Sequence, residues 1–303
     1  MERRVKYNLK KVTNPIIFRG NDKVAYRDPA VIYVGGWFHL FFTLVETEPD
    51  GEVYMYLAKS KSCDLVKWED PRKLTIKDQR LNYSSPGNIV WFQDRWLVCL
   101  QTYCRENGEK YGNANSRIYV MESQNLEDFG EPRLLKVKGE CPVEDMGRMI
   151  DPYLLQDASD SKKWWCFYKQ NGVSMSYTYD MENWAYAGSA EAGENVCVVR
   201  NRGKYYMFHS PCNGIGILES DDCLKWQDTG KLLTLGQKNW SWAMGRITAG
   251  FVMEIPSDTS EEKIWLMFFH GSGPEDENTM FDQYASIGIA WSEDFVNWEW
   301  PSV

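Results

Sequence analysis

The chain has 303 residues, with 34 Lys and Arg against 43 Asp and Glu for a formal charge of −9, and it is rich in aromatic residues and glycine. That balance argues against a nucleic-acid partner, because such binding draws on concentrated cationic side chains. Strand-forming aromatics with abundant turn residues predict an all-β class, and large all-β folds commonly stay undivided, so residues 1–303 are read as a single domain.

From the N-terminus, the basic residues within Met1 to Tyr7 are followed by no apolar run, and no later stretch approaches the ~18 apolar residues of a membrane span. A cytoplasmic protein without a membrane partner is expected. None of the cysteines forms a C-x-x-C pair, and Cys99, Cys166, Cys197 and Cys223 lie in or beside apolar runs, which predicts free, buried thiols.

Successive units then repeat one plan: two apolar runs around a turn, a third strand, and a small hydroxylated residue followed by Asp or Asn and an aromatic. The first unit has Ala30 to Val34 and Trp37 to Thr43 around Gly35-Gly36, then Val53 to Ala58, and closes on Ser62/Asp64/Trp68. The second has Asn88 to Phe92, Trp96 to Leu100 and Arg117 to Met121, closing on Ser123/Asn125/Phe129. The third has a longer turn, Asp157 to Lys163, before Trp164 to Tyr168 and Val173 to Tyr177, and closes on Thr178/Asp180/Trp184. The fourth runs through Val196 to Val199, Tyr205 to Phe208 and Ile215 to Leu218 to Ser220/Asp222/Trp226. In the fifth, a turn over Pro256 to Lys263 precedes Ile264 to Phe269 and Ala285 to Ala290, and the copy is Ser292/Asp294/Trp298. Fourth strands are expected after the aromatic, for instance Pro132 to Leu135 and Lys231 to Leu233, with Asn14 to Phe18 completing the last unit. The prediction is a five-bladed β-propeller of four-stranded antiparallel blades around a central funnel. The repeated Asp caps a turn and the Trp fills space between blades.

Inner-strand starts in a propeller converge on the axis. Aligned by sequence, those starts are Asp28-Pro29, Ser85-Pro86, Asp151-Pro152, Glu194-Asn195 and Arg246-Ile247, of which three are acidic. Carboxylates sharing one funnel repel each other, so at least one should hold a proton near neutrality, as general acid catalysis requires. Glycoside hydrolysis uses such a protonated carboxyl beside an ionised one.

Arg27-Asp28-Pro29, Ile150-Asp151-Pro152-Tyr153 and Glu194 before Val196-Cys197-Val198, with Tyr205-Tyr206-Met207-Phe208 downstream, resemble glycoside hydrolase family 43 over nearly the whole chain. The resemblance implies that Asp28 is the general base, Glu194 the general acid, and Asp151 the carboxylate that raises and orients the acid. It implies inversion at the anomeric carbon and arabinoside- or xyloside-type substrates; for a protein expected in the cytoplasm, small oligosaccharides or aryl glycosides are expected over long polymers. Two departures stand out: Gly245-Arg246-Ile247 occupies the place of the family's axial His, and Val196 stands where a Pro usually follows the acid. Glu140-Cys141-Pro142 resembles the acid/base site of family 32, but no Asn-Asp-Pro precedes Arg27-Asp28-Pro29.

Arg27, Arg148, Arg246 and His270 are expected to bind sugar hydroxyls or balance the acids, with Ser85 beside them. Trp240, Trp242, Tyr26 and Tyr83 are candidates for stacking on sugar rings. His39 and His209 read as strand residues, and no cluster has zinc spacing. No cofactor is required, although Ca²⁺ in the axial channel is compatible with the fold. The rivals are a family 130-like glycoside phosphorylase and an inert sugar-binding propeller.

Overall fold

The computed structural model describes residues 7–256 and 263–301, with no side-chain placement for Pro256. Most of the predicted turn from Pro256 to Lys263, and the basic residues 1–6, lie outside this range. Each blade is a four-stranded antiparallel sheet in sequential order. Blade one comprises Val24–Val34, Trp37–Thr47, Val53–Ser62 and Arg72–Lys73, and blade two Ser84–Phe92, Arg95–Gln101, Ile118–Ser123 and Arg133–Leu134. Blade three comprises Ile150–Gln156, Trp164–Lys169, Val173–Thr178 and Trp184–Ala190, and blade four Glu194–Asn201, Lys204–Ser210, Ile215–Ser220 and Gln227–Leu233. Blade five takes Arg246–Pro256, Lys263–Ser272 and Ser286–Ser292 from one end of the described chain and Ile16–Phe18 from the other. Ile16 stands opposite Gly288 and Phe18 opposite Ile287, so the N-terminal strand closes the ring as expected.

The repeated motif is turn chemistry. Ser62 Oγ accepts the Leu65 N–H at 2.9 Å, and Asp64 Oδ1 accepts those of Val66 and Lys67 at 2.9 and 2.8 Å. These bonds hold the residue after the Asp or Asn left-handed, at φ 66° for Leu65 and 60°, 63°, 62° and 68° for Leu126, Met181, Cys223 and Phe295. An apolar residue tolerates that strained region because the side-chain caps and its own burial over-determine it. The motif aromatic then reaches the middle strand of the preceding blade. Phe129 meets Phe41 at 5.7 Å, Trp226 meets Phe167 at 5.9 Å, Trp298 meets Phe208 at 6.3 Å, and Trp68 meets Phe268 of blade five at 6.4 Å, each edge to face. One local pattern therefore both ends a strand pair and glues neighbouring blades. All eight cysteines are free, and Cys99, Cys166, Cys197 and Cys223 are buried.

Candidate active site

Each inner strand breaks its pairing with the second strand near the axis, and the residue at the break is left-handed: Asp28 at φ 47°, Ser85 at 43°, Asp151 at 51°, Asn195 at 51° and Ala249 at 53°. These bulges are structurally equivalent, and they correct the sequence alignment. Glu194 stands one residue before its bulge, in the place of Arg27 on blade one, and Arg246 stands three before. Two acids occupy the bulge itself, and the third reaches the funnel from the neighbouring position.

The bulges are tied into a ring. The Ser85 N–H donates to Thr43 Oγ1 at 2.7 Å, that of Asp151 to Gln101 Oε1, that of Ala249 to Ser210 Oγ at 2.9 Å and that of Asp28 to His270 Nδ1 at 3.1 Å. Each acceptor sits on the second strand of the preceding blade, opposite the residue before that blade's own bulge. On blade three this position is Lys169, which has no lone pair to offer. Because its Nδ1 accepts, His270 carries its proton on Nε2, which faces Glu277 Oε1 at 3.4 Å.

Asp28, Asp151 and Glu194 all line one cavity of about 260 Å³. Thr43 Oγ1 donates to Asp28 Oδ2 at 2.8 Å while accepting from Ser85, which uses its single proton and fixes the carboxylate. Asp151 is 6% exposed, and Ser85 Oγ donates to its Oδ1 at 2.7 Å. Burial first, then the charges of Glu194 and Asp28, push Asp151 up to about 7, against the opposing pull of the Ser85 bond and Arg148. Glu194 Oε1 pairs with Arg246 at 2.9 Å, and Arg246 also pairs with Glu277 at 2.7 Å. Glu277 binds buried Arg27 as well, and these cations together with His270 hold it far below the usual carboxylate range despite its burial. Replacing Thr43 by Val should leave Asp28 Oδ2 without its donor, with only the longer 3.4 Å bond from Asn195 Nδ2 to Oδ1 remaining, and Ser85 N–H without its acceptor at a buried position. We expect destabilisation of about 1–3 kcal/mol by denaturant midpoint and roughly tenfold slower turnover, both restored by Thr43→Ser.

Of the predicted binding residues, Arg27, Arg148 and Arg246 line the cavity. Arg148 donates Nε–H to Gly112 O at 2.7 Å. Ser85 and His270 stand behind the acids and position them. Tyr83 and Trp242 do not face the cavity. Tyr83 is buried edge to face on Tyr119 at 5.4 Å, and Trp242 packs in a cluster of three rings with Trp240 at 5.1 Å and Phe269 at 5.9 Å. Gly271 and Gly288 make the notch that Trp242 fills: a Cβ at Gly288 would stand 2.7 Å from its ring. Tyr26 stacks on Phe18 at 5.3 Å. Glu140 is exposed in the connection between blades two and three and does not line the cavity.

Sequence reasoning missed the strap over the funnel. Glu277, Asn278 and Phe281 from the 273–285 loop line the cavity together with Tyr103 and Tyr111. Across the mouth, Arg105 grips Asp282 through two bonds of 2.8 and 3.0 Å, Tyr111 Oη donates to Asn278 Oδ1 at 3.0 Å, and Lys110 Nζ donates to Asn278 O. Tyr111 is 44% exposed and is the accessible aromatic of the cavity. These loops have no counterpart in the repeat, so no periodic signal marks them. Among the described residues no group of three or more His, Cys, Asp or Glu is arranged to hold a metal, and the space beneath the bulges, about 20 Å³, is room for one water. No helix among them is long and apolar enough to cross a membrane.

No protein-family profile and no curated protein sequence matches the chain. Solved structures do. A thermostable family-43 glycoside hydrolase superposes with TM-score 0.64 at 15% identity, over 96% of this chain and 97% of that one. An exo-1,5-α-L-arabinanase from a bovine ruminal metagenomic library gives 0.59 at 14% identity, over 94% and 96%. A family-32 β-fructofuranosidase from Bombyx mori gives 0.62 at 14% identity, over 92% of this chain and 62% of that one. At such identities the likeness establishes the fold, that of the five-bladed propeller glycosidases, and the chemistry has to be argued from the site.

Proposed function

We propose that this protein is a glycoside hydrolase that inverts the anomeric centre and removes terminal sugars from small oligosaccharides. The observation that carries this reading is the convergence of Asp28, Asp151 and Glu194 on one cavity from three different blades. In the proposed step Asp28 takes a proton from water as the water oxygen bonds the anomeric carbon. The glycosidic C–O bond breaks, and Glu194 delivers a proton to the departing oxygen. Asp28 suits the base role because Thr43 and the His270-bound backbone hold its carboxylate in one orientation. Buried Asp151 stores a proton near neutrality, which keeps the acidic cluster from carrying its full charge. Arg27 and Arg246, both paired with Glu277, shape the pocket wall. Tyr111 offers a ring face for the sugar.

The small cavity and the strap across its mouth support exo action, since a cleft open at both ends would be needed to seat a polymer mid-chain. Arabinoside- or xyloside-type substrates are the first to try, on the strength of the family-43 likeness. A chromogenic glycoside screen followed by proton NMR of the first turnovers tests the reading. The newly released sugar should carry the anomeric configuration opposite to that of the substrate, before mutarotation. Retention, or sugar binding without turnover, would sink it. The phosphorylase reading has one observation in its favour: Arg148 lines the cavity with only its Nε hydrogen-bonded among the described residues, leaving terminal N–H groups for an anion. Release of a sugar 1-phosphate that depends on added phosphate would favour that alternative.

A further inference from the structure

Three cations line the catalytic cavity, and two of them are already paired: Arg27 with Glu277, and Arg246 with both Glu277 and Glu194. Arg148, from the connection that leads into blade three, pairs with no carboxylate among the described residues. We infer that the terminal N–H groups of Arg148 receive a carboxylate carried by the sugar in this cavity, so that the substrate class is a uronoside, the glycoside of a sugar acid.

The inference rests on the glycosidase reading above and names the sugar it acts on. Arg148 is anchored along its length. Its Nε–H is committed to Gly112 O at 2.7 Å, its Cζ stands 5.6 Å from the centre of the Tyr103 ring, and its own carbonyl accepts from Gln170 Nε2 at 2.9 Å. Gly112 brings its carbonyl into place because it has no side chain: a Cβ there would stand 2.7 Å from the Tyr103 ring and 2.8 Å from Ser116 Oγ. With Nε fixed, the two terminal nitrogens are left as a pre-set fork for a planar acceptor, the geometry of a carboxylate.

The balance of charge points the same way. Buried Asp151 keeps a proton near neutrality and Glu194 carries one as the acid, so in the state ready for cleavage the ionised acids of the cavity are Asp28 and Glu277, facing Arg27, Arg148 and Arg246. Two negative charges against three positive leave one positive charge uncompensated, and the ion pairs place it on Arg148. A neutral sugar strips water from that guanidinium and offers no charge in return, whereas one carboxylate neutralises the cavity. Asp151 does not stand in for that carboxylate: its Oδ1 accepts from Ser85 Oγ, and Arg148 acts on it more weakly than Glu194 and Asp28 do. Inorganic phosphate has the same oxyanion chemistry, and the experiment separates the two.

Hexuronides and pentopyranosides make the test, because D-glucuronides differ from D-xylosides, and D-galacturonides from L-arabinopyranosides, only by the carboxylate on C5. Values of kcat/KM are measured for the nitrophenyl glycosides of both pairs, in both anomeric configurations, with and without inorganic phosphate. The expected result is a preference of about 100-fold for the uronide in one pair, falling by about 10–100-fold in Arg148→Gln and by less in Arg148→Lys, which keeps the charge and loses the fork. Calorimetry of the parent protein with free glucuronate and galacturonate, against xylose and L-arabinose, depends on neither turnover nor a variant. Pentosides cleaved at least as fast as their uronides in both pairs, or a preference that survives Arg148→Gln unchanged, would overturn the inference and leave the glycosidase reading in place. Turnover that requires phosphate and releases a sugar 1-phosphate would overturn both and assign Arg148 to phosphate. Where no glycoside of the panel turns over, calorimetry decides: tighter binding of a uronate than of its pentose upholds the inference, and equal or absent binding overturns it.

Discussion

Replacing Glu194 by Gln should abolish cleavage of glycosides with poor leaving groups while sparing those with good ones. Loss of a general acid costs on the order of 10²–10⁴ in rate where the departing oxygen needs a proton. A nitrophenolate with a low pKa leaves without that help, so its loss should be roughly tenfold or less. The steepness of log kcat/KM against leaving-group pKa is therefore the diagnostic quantity, and it should increase in the variant. The substituted amide keeps the size of the carboxylate and a carbonyl oxygen that Arg246 can still bond in place of the 2.9 Å ion pair, so the cavity wall stays standing. Thermal unfolding close to that of the parent protein would confirm that the effect is chemical. Equal, small losses across all leaving groups would exclude Glu194 as the acid and would move attention to Asp151, the carboxyl that carries a proton at neutrality.

The parts of this site that were legible in sequence are those built by repetition. Ser-x-Asp turns with an aromatic four residues later recur because each blade solves the same local problem, and the hydroxyl and carboxylate that cap the turn are within a few residues of the N–H groups they bind. The ring closure by Ile16–Phe18 was legible because the last unit lacked a strand. Register at the axis was harder. Bulges insert a residue without altering composition, so Glu194 aligned with Asp28 and Asp151 in sequence although it stands one position earlier in space. The aromatics near the inner strands turn away from the side expected of them: whether Trp242 faces sugar or core depends on the notch at Gly271 and Gly288, which lie dozens of residues away. Glu277 and Tyr111 were invisible for a different reason. They come from irregular loops whose positions are decided by pairings across the mouth, such as Arg105 with Asp282, over a separation of 177 residues.

Asp151→Asn should make the protein more stable and less active, with both effects following pH. Asp151 is raised in the folded state from 3.8 to about 7 by burial and by the neighbouring carboxylates. Between about pH 4 and 7 the unfolded chain has released this proton while the native state still holds it. Stability therefore declines as pH rises through that window and stays lowered above it. A shift of this size corresponds to roughly 4 kcal/mol at pH 8, at 1.36 kcal/mol per unit. Asn carries no charge in either state and its Oδ1 can still accept from Ser85 Oγ. Its advantage in Tm should be near zero at pH 4, grow to about 5–10 °C by pH 8, and flatten beyond. Activity should move the other way. Loss of the proton that Asp151 holds gives kcat/KM of the parent a falling limb with an apparent pKa near 7. The Asn variant should lose that limb and about 10–100-fold of its rate at the optimum, because the amide can neither hold nor release the proton that Asp151 keeps near neutrality. A Tm difference that does not change between pH 4 and pH 8 would show that Asp151 is ionised throughout and that the proton resides elsewhere in the cluster.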